Sequence, residues 1–495
     1  MPAASSTTIT RRHLLRSAGL GALSLGVAGA LGEVVLGAIK PKAKTPPRPP
    51  TWRSRPDLRI PALTVLHRED GASTDPIFIA PYNAPVGQAG AVIVDHRGEP
   101  IWENPLAGKV TTDFRVQSYR GAPVLTWWEG TIEYGHGVGE YVIADASYRT
   151  VRRVQAARGL SGDLHEFVIT PRDTALLTSY VILDKDLFSV GGPRKGTIQD
   201  AIFQEIDLAT GAVLLEWHSL EHIPLTESYA PVGPEWDYFH INSADLDGDG
   251  NLLISARSTH TIYKLDRAGK IIWRLGGRRG DFDMGPGSHF AWQHHARRQP
   301  DGTLTVFDNG ATPAVEKLSR GLILDVDERA MTATLLRQYT HAGVLTGSQG
   351  SMQPLANGNV FVGWGEAPRV SEFDASGRLL FDALLGVKYQ SYRAFRLPWS
   401  GQPAEAPALA LTRRGREMAA YASWNGATDV HTWHLLAGQD TEGSLERVTS
   451  ARAHDFETIL RTDAHGPYFA VRALDAHGGE LGRSSTTELA TTVRL

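Results

Sequence analysis

Residues 239–277, FHINSADLDGDGNLLISARSTHTIYKLDRAGKIIWRLGG, hold four short apolar runs separated by turns rich in Asp and Gly. Runs of this length, rich in Ile, Leu and Tyr and bounded by turn residues, read as strands. The last two runs carry a signature. An apolar strand ends in Asp266, a short turn follows, and a second strand carries Trp273. The signature recurs at Val92–Asp95 with Trp102, Tyr141–Asp145, Phe203–Asp207 with Trp217, Leu322–Asp325 and Val370–Asp374. Successive Asp positions are 50, 62, 59, 59 and 49 residues apart. In the later units Asp249-Gly-Asn, Asp301-Gly-Thr and Asn357-Gly-Asn mark the turn before another strand. Units of about fifty residues built from four short strands are the pattern of a propeller. Helical periodicity is nearly absent, which disfavours a stacked helical solenoid. The expectation is an all-β chain with a six-bladed β-propeller over residues 60–400, the excess length at Lys185–Thr197 forming a loop on one blade.

Working outward, the two ends differ from this core. Arg11-Arg12, then His13-Leu14-Leu15-Arg16 and an apolar Ala/Gly-rich run from Ala18 to Ala30, follow the twin-arginine export layout, with Ala28-Gly29-Ala30 as a processing site. Apolar character resumes at Val34–Ile39, so an uncleaved membrane anchor stays open as the alternative. Residues 1–40 are therefore read as a signal or anchor, 41–59 as a basic, Pro-rich linker, and the protein as exported, secreted or bound to the cell envelope. From 401 to 495 alternating strands resemble a fibronectin type III-like β-sandwich, with Trp433 as core aromatic and Tyr468 on a late strand.

Composition removes several classes of function. Lys+Arg 50 against Asp+Glu 54 argues against a broad nucleic-acid-binding surface. The absence of Cys excludes disulfides, thiolate catalysis and Cys-ligated metals. Gly 51 and Pro 28 suit many turns.

Eight of the eighteen histidines fall between 165 and 295, near the points where inner strands begin. Four motifs stand at equivalent places in successive units: Asp163-Leu-His165-Glu166; His240-Ile-Asn242 with Arg257 fifteen residues on; Gln293-His294-His295; and Gly347-Ser-Gln349-Gly-Ser-Met-Gln353. Strand alternation predicts that His240 and Asn242 share one face. A funnel of imidazoles, an amide and a guanidinium suits a tetrahedral oxyanion such as sulfate or phosphate. A neutral imidazole can also attack sulfur or phosphorus while the cations offset charge on the equatorial oxygens. The plain alternatives are that His165 satisfies backbone groups between blades and that Arg257 pairs with Asp245 or Asp247. His136 belongs to an early unit and is a weaker channel candidate.

Residues 239–277, 290–310 (FAWQHHARRQPDGTLTVFDNG) and 164–180 (LHEFVITPRDTALLTSY) resemble the bacterial arylsulfate sulfotransferases, specifically the broad arylsulfotransferase family of actinobacterial and fungal secreted proteins. The resemblance covers about residues 60–395. It implies transfer of a sulfuryl group from a phenolic sulfate ester to an acceptor phenol, with no nucleotide donor and no cofactor. By position, His294 after Gln293 matches the histidine that is transiently sulfated. His240, Asn242 and Arg257 match sulfate-binding residues, and His165 a further active-site histidine. His295 follows His294 directly, so the nucleophile is ambiguous by one residue; alternation lets one of the pair face the channel. Gln293, His295 and Asn242 are the expected substrate contacts. Trp127, Trp128, Trp236 and Trp292 are candidates for an aryl pocket.

Asp245-Leu-Asp247-Gly-Asp249-Gly-Asn251 imitates a calcium loop, but Ala256 stands where the bidentate Glu belongs, so a tight Asp/Gly turn is the expectation and a structural calcium the lesser one. The rival to an enzyme is a non-catalytic extracellular propeller that binds glycans or proteins.

Overall fold

In the computed structural model the described residues run from 51 to 489, apart from 60, 62, 84–87, 387 and 441–444. The twin-arginine segment and most of the Pro-rich linker lie outside them. The repeated units fold as six sheets in succession, antiparallel apart from the short parallel pairings of Glu235–Trp236 and Asp283–Met284 in the third and fifth. The first joins Ala394–Arg396, Ile77–Ile79, Gly90–Val94 and Pro100–Pro105. The second is Val110–Tyr119, Ala122–Glu133, His136–Ala144 and Thr150–Val154. The third is Phe167–Ile169, Thr174–Lys185, Gly196–Asp207 and Val213–His218. The fourth is Ile241–Leu246, Leu252–Ala256, Thr261–Leu265 and Ile271–Gly276, and the fifth His294–Arg298, Leu304–Asp308, Arg320–Asp327 and Thr332–Thr340. The sixth is Ser351–Pro354, Val360–Gly363, Arg369–Phe373 and Leu379–Leu384, edged by Thr64–Arg68. The first strand of each sheet touches the first strand of the next, and Ala394–Arg396 touches those of the sixth and second, so the six close a ring. The architecture is nearly all-β and propeller-like.

Period-two alternation explains the packing. Ile77 and Ile79 enter the core shared with the sixth sheet, whereas Phe78 enters the core shared with the second. Leu252 and Ile254 face the third sheet, and Leu253 the fifth. Both faces of each sheet are buried, so the strands read as continuous apolar runs rather than alternating ones. The recurrent Asp closes the turn between two strands. Asp95, Asp145, Asp266 and Asp374 each accept backbone N–H groups two and four residues on. In the fifth sheet that residue is Asp327, which accepts from Arg329 and Ala330, and not Asp325, which lies exposed inside the strand. The excess at Lys185–Thr197 is a hairpin arm more than a loop: Lys185 still pairs with Gly196, and a 3₁₀ turn spans Phe188–Val190.

Beyond residue 400 two sheets share a separate core. Ala408–Arg414, Glu417–Ser423 and Glu457–Thr462 form one; Thr432–Gly438, Glu446–Arg452, Tyr468–Leu474, Glu480–Arg483 and Thr487–Glu488 form the other. Trp433, Phe469 and Val471 meet Met418, Ala420 and Leu460 between them. Tyr148 Oη donates to Gly426 O at 2.7 Å and Asn425 Nδ2 to Glu103 O at 2.9 Å, tying this unit to the first two sheets of the ring. Among the described residues no helix is long and apolar enough to cross a membrane.

Candidate active site

The approaches to the inner strands bring a histidine cluster together. His165 Nδ1 lies 2.6 Å from Asp163 Oδ2, which also accepts Thr178 Oγ1 at 2.9 Å, while Asp163 Oδ1 accepts Gly137 N at 2.7 Å. His240 Nδ1 is bound by Asp237 Oδ2. Each carboxylate fixes one ring nitrogen as the N–H, and the Nε2 of each ring is left without a protein partner among the described residues. The rings are close: His165 and His240 are 4.8 Å apart by centroid, and His136 is 5.2 Å from His240. Tyr180 stacks on His136 at 3.7 Å and anchors its hydroxyl on Ile241 O.

His294 is reached through Tyr392, whose ring lies 5.5 Å from His165 and 6.4 Å from His294. His294 Nδ1 donates to Asn309 Oδ1 at 2.7 Å, and Asn309 Nδ2 is held by Gln349 O and Thr346 Oγ1. The amide therefore specifies the Nδ1–H tautomer and leaves a lone pair on Nε2. That lone pair accepts Gln349 N–H at 3.2 Å. Arg257 lies 4.8 Å over the ring of Trp292 and donates to Gly347 O at 2.8 Å. Trp292 is backed by His260 at 4.3 Å, which stacks on Tyr229. No carboxylate lies within ion-pair distance of Arg257 among the described residues. Asp245 and Asp247, its candidate partners, instead face Arg297 and Arg298.

Burial dominates the electrostatics. It pushes His294 well below the ordinary imidazole value, and the charge of Arg257 pushes it further. His240 is pushed down to about 4 by burial, against the pull of Asp237. Burial also lowers Arg257. For Asp163 and Asp237 burial acts the other way, but the neighbouring imidazoles outweigh it and hold both carboxyls well below the usual range. His240 and His294, both lowered, thus share the site with a guanidinium that has no carboxylate in ion-pair contact among the described residues. That arrangement can hold a tetrahedral oxyanion and attack its centre.

The remaining expected residues are placed differently. Asn242 Nδ2 donates to Gln293 O, toward the fifth sheet, while His240 turns to Asp237; a bulge between Ile241 and Ser243 and a left-handed His240 (φ 55°) break the expected alternation. Gln293 spends its Nε2 on Ser255, Ala256 and Thr261 of the fourth sheet and acts as a tether between sheets. His295 stands apart from the histidine cluster. It is left-handed (φ 52°), its Nδ1 accepts Met352 N–H, and its ring lies 5.6 Å from Phe395. Of the adjacent pair, His294 joins the site and His295 does not; both rings are buried, and a bulge lies between His294 and Arg297. Glu166, next to His165, opens a second buried layer with Arg115, Arg297 and Arg393.

Of the four tryptophans, only Trp292 touches the site. Trp127 and Trp128 pack between the first three sheets, and Trp236 packs between the third and fourth. The calcium-like loop is occupied by an ammonium: Lys264 Nζ lies 2.8 Å from Asp247, Asp249 and Glu328. Asp237, Asn309 and Tyr180 were not singled out from the sequence. An Asp two or three residues before a His was the available signal at 163 and 237; Asn309 comes from a neighbouring strand and has none.

His136 with Asp237 and His240, or with Asp163 and His165, are the groups that could hold a metal. Within the second set Asp163 Oδ2 and His165 Nδ1 are 2.6 Å apart, in hydrogen-bond contact.

Similar solved structures include a protein of unknown function from Bacteroides caccae (13% identity, 65% of this chain and 98% of that one, TM-score 0.40). Others are a catalytically inactive virginiamycin B lyase from Staphylococcus aureus with quinupristin (9%, 72% and 94%, TM-score 0.33) and the β-propeller domain of Cps50 (Swd1) from Myceliophteria thermophila (13%, 64% and 97%, TM-score 0.31). Likenesses this distant say nothing about activity. No curated protein matches the sequence. Residues 115–386, more than half of the chain and the span that carries His165, His240, Arg257 and His294, match the arylsulfotransferase (ASST) family, and the chain belongs to it.

Proposed function

We propose that the protein transfers a sulfuryl group from a phenolic sulfate ester to an acceptor phenol through a sulfohistidine at His294. The observation that carries this reading is the Asn309-fixed lone pair of His294 Nε2, set with Arg257 and the free Nε2 atoms of His165 and His240. In the donor half, Nε2 forms a bond to sulfur while the sulfur–oxygen bond to the aryl group breaks and the phenolate departs with the electron pair. Displaced from Nε2, the Gln349 N–H joins Arg257 in facing the sulfuryl oxygens. In the acceptor half, the phenol loses its proton to an imidazole, its oxygen bonds to sulfur, and the nitrogen–sulfur bond breaks. No cofactor takes part.

The same reading takes the six sheets as the blades of a propeller over 60–400 and the last two as a fibronectin type III-like sandwich over 401–495. It also takes residues 1–40 as a twin-arginine signal for export. The test follows nitrophenolate release from p-nitrophenyl sulfate, with and without phenol, and traps ³⁵S on the enzyme. Phenol-dependent release, phenyl sulfate formation and label on the wild type but not on His294→Ala are expected. Release without phenol would make the protein a hydrolase, and no release over a panel of aryl sulfates would favour the binding propeller.

A further inference from the structure

Residues 346–350 link the last strand of the fifth sheet to the first strand of the sixth, and they carry three contacts of the site. Gly347 O accepts Arg257 Nη2 at 2.8 Å, Gln349 N–H donates to His294 Nε2 at 3.2 Å, and Gln349 O accepts Asn309 Nδ2 at 3.0 Å. The segment is braced by the turn between Val360–Gly363 and Arg369–Phe373. Glu366 Oε2 accepts Gly347 N–H at 3.1 Å, and Glu366 N–H reaches Ser348 O at 3.4 Å. Gly365 lies so close to the segment that a Cβ there would come within 2.6 Å of Gly350 N. Glu366 is half-buried. No cation lies within ion-pair distance of its carboxylate among the described residues, so the Gly347 N–H is the hydrogen bond that this carboxylate makes.

We propose that Glu366 is a positioning residue for the sulfuryl group: by accepting the Gly347 N–H it fixes residues 346–350, so that Gly347 O aims the Arg257 guanidinium and the Gln349 N–H faces the sulfuryl oxygens. Arg257 has no carboxylate in contact, so one carbonyl and the face of Trp292 set its direction. A fork that must meet an oxyanion to within about 0.5 Å needs that carbonyl held still. Without the brace the carbonyl drifts, and a displaced donor loses contacts made in the transition state. The hydrogen bond, and not the charge, carries this role. Burial lowers Arg257, while Asp237 and then Glu366 raise it through space, a pull that does not direct the fork. The role deepens the sulfuryl-transfer reading and rests on it.

The test compares three substitutions in the full-length protein. Glu366→Ala removes the acceptor, Glu366→Asp keeps the charge but is one methylene too short, and Glu366→Gln keeps the reach without the charge. Binding of inorganic sulfate is measured by titration calorimetry, with Arg257→Ala as the control that loses it. Glu366→Ala and Glu366→Asp should weaken sulfate by about tenfold, and Glu366→Gln should stay within about twofold of the wild type. With p-nitrophenyl sulfate and phenol, kcat/KM for the donor should follow the same order while KM for phenol hardly changes. Far-UV circular dichroism checks folding, and the Asp and Gln variants decide the matter where the Ala variant does not fold. A folded Glu366→Ala or Glu366→Asp that binds sulfate like the wild type would overturn the proposal. So would a Glu366→Gln as weak as Glu366→Asp, or a wild type that binds no sulfate. Sulfate binding that follows the expected order, without sulfuryl transfer by the wild type, would instead retire the transfer reading and leave the brace on Arg257 standing.

Discussion

His294 and Asn309 show what a single side chain contributes. An isolated histidine divides its proton between two nitrogens, and a nucleophile needs the lone pair on a specified one. Asn309 makes that choice with the Trp292 carbonyl as the longer second acceptor, because the Asn309 Nδ2 is committed to Gln349 and Thr346 and only its Oδ1 can face the ring. Asn309→Ala should therefore lower the rate of sulfo-enzyme formation by about 10²-fold, measured by rapid-quench ³⁵S labelling with KM for the donor little changed. An equal loss in KM and kcat would place Asn309 in binding instead. His165, His240, Arg257 and His294 were legible from their motifs. Their partners were not, since Asn309 is fifteen residues from His294 in sequence and meets it only through strand pairing.

At the level of elements, the site is delivered by irregularities. Regular alternation would put residues two apart on one face, yet His240, Trp292 and Gln349 adopt left-handed backbone at φ 55°, 57° and 65°. Such conformations cost about 1 kcal/mol or more each, and here they turn side chains and one N–H toward the site. Gly350 shows how little room is left. Its φ is +108°, and a Cβ there would come within 2.3 Å of the Phe307 ring. Gly350→Ala should lower the free energy of unfolding by about 1–3 kcal/mol, read from urea denaturation. It should also displace the Gln349 N–H from His294. The bulge that separates Asn242 from His240 leaves no mark in a periodic pattern, which is why alternation misplaced that pair.

The whole molecule couples the site to stability through buried neutral imidazoles. Burial holds His240, His260, His294 and His295 below the ordinary value near 6.5. Below that value the unfolded chain binds protons that the folded chain refuses, so stability falls as pH drops from about 6.5 toward 4. His136 and His218 run the other way: their raised values contribute stability below about 6.5 that is lost as pH climbs through the folded values. Four rings outweigh two, and scanning calorimetry should find a lower Tm at pH 5 than at pH 7. A flat profile would mean that these rings are solvated.

The sequence by itself determined the strand-rich units, their repeat and the polar residues at the inner strand starts. Those features depend on local periodicity, turn chemistry and residue type, which neighbours along the chain suffice to specify. Ring closure by Ala394–Arg396, the union of His136, Asp163 and Asp237 with His165 and His240, and the Lys264 ammonium within the Asp loop were decided only by tertiary structure. Each joins segments far apart in the chain, and the cost of burying a charge selects among partners that local sequence cannot rank.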